Sequence, residues 1–119
     1  MFHYTNKEGY NCIRRGAQRS DGSIGAEPAW LFRACQPPTD HPVAAYFTTL
    51  SEDTPLLARK LRIPREKLHY VFGFADQDGL HPLNGDRGRY IFYSSTDYCV
   101  TRDRQYKFGL TKLGVEDQT

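Results

Sequence analysis

Residues 67–75, KLHYVFGFA, are apolar in succession rather than in alternation. A strand that shows a polar side on neither face belongs in the middle of a sheet, so this chain must supply partners around it. Residues 43–49, VAAYFTT, and 89–95, RYIFYSS, read as two of them. A third, QYKFGLTKL at 105–113, sets Tyr106, Phe108 and Leu110 at period two, the alternation of a strand. Phe2-His3-Tyr4 is aromatic and strand-like as well. WLFRA at 30–34 is either a short strand or the end of the loop before it.

Two helices are predicted, both early. Thr5 with Glu8 three residues on is a capping box, which starts a helix near Asn6 with Tyr10, Cys12 and Ile13 as its apolar side and Gly16 as its C-cap. Residues 51–63 form the second, with Thr54 as cap, Pro55 at the first helical position and Leu56, Leu57 and Leu61 on one side, ended by Pro64. Between these elements, 17–29 is a loop, 35–42 (CQPPTDHP) a proline-rich turn and 76–88 a turn-rich loop with an Asn-Gly signal. The tail GVEDQT frays. There is no repeat and no regular strand–helix alternation. The expected class is therefore α+β, with a mainly antiparallel sheet in a single domain over 1–119.

Composition narrows the function classes. Sixteen Lys and Arg against fourteen Asp and Glu do not argue for nucleic acid by charge, and leave it open. No apolar run is long enough to span a bilayer, so no membrane is expected as a partner. MFHYTNKEGY lacks the apolar centre of a secretory signal. Cys12, Cys35 and Cys99 are too widely spaced for a zinc knuckle or a disulfide framework, which points to reduced thiols and a cytoplasmic protein. No tight ligand spacing predicts a metal.

FHYTNKEGYNCIRRGA followed by AAYFTTLSEDTP resembles the toxin-type ADP-ribosyltransferases that carry a His-Tyr-Asp signature, distant relatives of diphtheria toxin and the poly(ADP-ribose) polymerases. In that family the first strand reads like Tyr-His-Tyr-Thr before a helix ending in Gly, and the second motif like Gly-Val-Tyr-Phe-Thr-Asp-Leu. The two motifs and the order of strands cover about half of this chain. The resemblance implies a small split-sheet fold and a mono-ADP-ribosyltransferase. Such an enzyme takes NAD as substrate, releases nicotinamide and places ADP-ribose on a macromolecular acceptor, here expected to be a protein. It would work inside a cell, its own or one into which it is delivered.

The resemblance also implies roles. His3 matches the histidine that hydrogen-bonds a ribose of NAD, and the backbone at Tyr4 would hold the carboxamide, with Thr5 beside them. A neutral imidazole donates through one nitrogen and accepts through the other, which suits it to orient a hydroxyl. Tyr46 matches the tyrosine that stacks on nicotinamide. A carboxylate near the ribose would favour the oxocarbenium-like transition state, and Asp97 in SSTDYC is the favoured position, with Asp86 as the alternative. Two departures stand out. Arg89 occupies the place where the polymerase branch keeps a glutamate, and the glycines that usually precede the tyrosine are absent from HPVAAYF. They favour a second reading, an inactive module of the same fold that binds a protein or nucleic acid. NAD glycohydrolysis is a third. Elsewhere, Cys12 reads as a small core residue, Cys35 as an exposed loop thiol, His41 and His81 as solvated and His69 as a satisfied strand residue. ARKLRIPREK reads as the solvated face of a helix, or as a steering patch for phosphate-bearing partners.

Overall fold

A computed structural model describes residues 1–15, 29–35 and 43–118. The expectations for Gly16, for most of the 17–29 loop, for most of the 35–42 turn and for His41 lie outside those residues.

Among the described residues, eight strands and three helices follow one another along the chain. Strand β1 (Phe2–Thr5) leads into helix α1 (Lys7–Arg15), then β2 (Trp30–Phe32), β3 (Ala45–Thr48) and α2 (Leu57–Leu61). After a 3-10 turn at Arg65–Leu68 come β4 (Tyr70–Phe74) and β5 (His81–Pro82). A second 3-10 turn, Asp86–Arg89, precedes β6 (Ile91–Ser94) and β7 (Tyr98–Val100), and a third, Arg102–Arg104, precedes β8 (Gln105–Leu110) and α3 (Lys112–Asp117). Six strands form one sheet in the order β5-β6-β3-β1-β4-β8, and β2 pairs with β7 in a second sheet. Every strand pair is antiparallel. The α+β class with mainly antiparallel strands is therefore what the chain forms.

The run at Tyr70–Phe74 is buried at all five positions, as an interior strand requires. Its alternate side chains feed two cores. Phe72 and Phe74 pack with Phe47, Trp30, Phe32 and Val100 under the small sheet and α1. Val71 packs with Tyr4, Leu57 and Leu68 under α2 and the first 3-10 turn. The result is three layers with the large sheet in the middle. Aromatic edges meet faces through the first core, as where Trp30 stands 4.8 Å from Phe72 at 64°.

Four local expectations need correction. The cap of α1 is Asn6, whose Oδ1 accepts from Gly9 N at 2.9 Å, while Thr5 is buried as the last residue of β1. Glycine at position 9 is required there, because a Cβ would collide with Thr5 Oγ1. Helix α2 spans Leu57–Leu61 rather than 51–63, and Leu56 takes a left-handed conformation (φ 58°) just before it. The segment ahead of it is held in turns by tertiary contacts: Glu52 accepts from Lys112 N and pairs with Lys107, and Asp53 pairs with Lys112. The described part of the tail is a helix, Lys112–Asp117, rather than a frayed end. Thr111 caps α3 by accepting from Gly114 N at 3.0 Å, and Asp117 takes two hydrogen-bond partners, Arg65 and His69. Finally, Tyr98–Val100 is a strand that the sequence reading did not mark.

Candidate active site

Strand β1 lies inside the large sheet, fully paired with β4 on one side over Phe2 to Thr5. On its other side the ladder to β3 holds a single residue pair, Phe2 with Thr48. The two strands separate beyond that pair, and a cavity of about 410 Å³ lies along the gap. Its size is that of an ordinary small-molecule site, roughly 300–1,000 Å³. Both motif strands contribute to its wall, His3, Tyr4 and Thr5 from β1 and Ala45 to Thr48 from β3.

The His3 side chain bridges the gap. Its Nδ1 stands 2.8 Å from the carbonyl oxygen of Tyr46. A carbonyl only accepts, so Nδ1 carries the proton and Nε2 is left as an acceptor. Phe32 and Phe47 flank the ring at 4.9 and 5.5 Å. Burial pushes the imidazole pKa down to about 4, the Tyr46 carbonyl opposes this in part and the charge of Lys67 adds to it. The ring is therefore neutral at neutral pH, which is the form that can accept a hydroxyl proton.

Tyr46 lines the same cavity and is half-buried. Burial first, then Cys35 and Tyr93 nearby, raises its hydroxyl pKa, so the ring stays a neutral phenol. Tyr4 points its ring into the second core and donates its hydroxyl to Leu50 O at 2.8 Å. Thr5 is buried at the cavity wall.

The acids fall elsewhere. Asp97 is exposed and outside the cavity lining, and its Oδ1 accepts from Ala34 N at 2.8 Å. That bond ties the start of β7 to the segment whose neighbours, Arg33 and Cys35, do line the cavity. Asp86 and Arg89 are exposed on the second 3-10 turn, outside the lining. The strand after them begins at Ile91 rather than at 89, and it is Ile91 that reaches the cavity.

Sequence reasoning missed the cavity's charge. Arg33, Arg62, Lys67 and Arg87 line it, and among the described residues no carboxylate does. Arg87 also donates to the Lys60 and Leu61 carbonyls at the end of α2. The basic run ARKLRIPREK carried part of this signal; Arg33 carried none, since only folding brings β2 over β1. Cys12, expected in the core, is exposed and lines the cavity together with Cys35. His69 stands one residue before β4 and bonds Asp117, and His81 is exposed on β5. Among the described residues no group of three or more His, Cys, Asp or Glu is placed to hold a metal, and no helix is long and apolar enough to cross a membrane. Comparison with protein-family models, with curated proteins and with solved structures finds no match.

Proposed function

We propose that the chain is a mono-ADP-ribosyltransferase that binds NAD in the cleft between β1 and β3. The observation that carries this reading is the His3–Tyr46 link, which sets the two motif residues in one wall with a fixed imidazole tautomer. Nε2 of His3 accepts a hydroxyl of the ribose, the Tyr46 ring supports the nicotinamide, and the lining cations face the pyrophosphate. In the reaction the bond from ribose C1′ to the nicotinamide nitrogen breaks. Its electron pair leaves with nicotinamide and neutralises the pyridinium charge. A nucleophile of the acceptor then forms the new bond to C1′ and gives up its proton.

A second reading, NAD binding without cleavage, is favoured by one observation: no carboxylate lines the cavity among the described residues to oppose the developing cation. One experiment separates the two. NAD is titrated by calorimetry, and nicotinamide release from labelled NAD is followed with and without cell lysate. Binding with release in lysate, and labelled product, supports the transferase. Release without an acceptor points to glycohydrolysis, and binding without any release to the second reading. No heat at millimolar NAD from a folded sample rejects both readings.

A further inference from the structure

We infer that the β3–β6–β5 end of the large sheet beside the cleft binds a single-stranded nucleic acid, with bases on Tyr93 and His81 and phosphates on the cations of the cleft. Two independent features meet at the cavity, which Tyr46, Arg33, Arg62 and Lys67 all line. The first is an aromatic row. Tyr46 on β3 lies directly opposite Tyr93 on β6, and Tyr93 lies opposite His81 on β5. Directly opposed residues of an antiparallel pair share a face, so the three rings run in line outward from the cavity mouth. Tyr46 and Tyr93 are 6.5 Å apart and Tyr93 and His81 5.9 Å, all tilted rather than closed on one another. Tyr93 is half-buried and His81 exposed, so a flat ring can be laid against them.

The second feature is charge. Arg33, Arg62 and Lys67 are exposed at the cavity and pair with no carboxylate among the described residues. They come from two sides of the cleft, Arg33 from the end of β2 and the other two from the segment after α2. NAD brings one pyrophosphate and a positive nicotinamide ring, which leaves cationic surface over. A run of phosphates flanked by aromatic faces is the chemistry a single strand presents, and stacking on such rings tolerates any base. An acidic peptide would use the cations but has no use for the row. If the transferase reading holds, the strand is the acceptor; that role rests on the reading, whereas strand binding does not.

Fluorescence polarisation of a short labelled single strand, without NAD, tests this apart from the transferase reading. We expect the full chain to bind RNA or DNA single strands more tightly than duplex of the same sequence. Affinity should fall with salt, with a log–log slope of about −0.7 per phosphate contact. Tyr93→Ala should weaken binding roughly 5- to 150-fold, as removal of one stacked base does, and Tyr93→Phe should restore it. His81→Ala, at an exposed position, should weaken it without touching the fold. Arg62→Ala with Lys67→Ala should flatten the salt slope. The proposal is overturned by no binding at low salt, by Tyr93→Ala binding like the parent, or by polyglutamate competing as well as the strand.

Discussion

A histidine that donates Nδ1–H to a strand carbonyl and is flanked by two phenylalanines stays neutral well below the usual pH of its titration. His3 titrates near 4 in the folded chain, against an ordinary 6.5. Between those values the unfolded chain takes up a proton that the native chain refuses. Stability is therefore whole above pH 6.5 and falls as the pH drops toward 4, by up to about 3 kcal/mol at 1.36 kcal/mol per unit. Urea denaturation across pH 4 to 7 measures it, and His3→Gln should remove most of that slope. For NAD, His3→Ala should cost roughly 0.5–1.5 kcal/mol of affinity, one hydrogen bond to the ligand. Calorimetry reads the loss, and an unchanged affinity removes His3 from the site. Asp97→Asn is a test of a different kind. Its carboxylate holds Ala34 N, so the neutral amide should leave NAD affinity near the parent's; nicotinamide release then reports whether the negative charge acts on the transition state.

At the scale of elements, α3 is held by two devices. Thr111 caps it and donates its hydroxyl to Leu68 O, and Gly114 packs where any Cβ would strike His69 O. Thr111→Ala should cost about 1 kcal/mol or more through the lost cap, and Gly114→Ala a further 1–3 kcal/mol or so by overpacking. Chemical denaturation checks both. Asp117 closes the other end, where the Arg65 guanidinium and then His69 hold its carboxyl at about 2. Its folded pKa lies below the unfolded one, so its contribution is present above the usual carboxylate range and lost as the pH falls through 2. That window lies below the His3 window, so the two are separable in one acid titration, and Asp117→Asn should abolish only the lower one.

The whole molecule places thiols unequally. Cys12 and Cys35 line the cavity and Cys99 lies on β7, outside it, all three free and exposed. Saturating NAD should therefore slow alkylation of Cys12 and Cys35 and leave Cys99 at its free rate, as mass spectrometry after a short iodoacetamide pulse would show. Equal protection of all three, or of none, speaks against NAD in this cavity. Bound ligand should also raise the melting temperature by mass action, by the equivalent of about 2.7 kcal/mol at a hundredfold excess over Kd.

What could be read from the residues alone was whatever depends on near neighbours. Tyr70–Phe74 announced an interior strand because both of its faces are apolar, and the α+β class followed from the order of periodicities. The start of α1 near Asn6 was legible in its capping residues, although the side chain that caps is Asn6 rather than Thr5. The two motif residues, His3 and Tyr46, were marked by their strands, but that one bonds the other's carbonyl is a property of how β1 and β3 part. Tertiary structure alone decided the rest. Helix α2 is short because Glu52 and Asp53 answer to Lys107 and Lys112, more than fifty residues away. The tail is a helix because Arg65 and His69 reach Asp117. The cationic lining exists because a separate small sheet brings Arg33 over a gap whose far side is edged by Arg62 and Lys67. Charges and carboxylates act through space within a few ångströms, and no spacing along the chain encodes which of them folding will bring to one cavity.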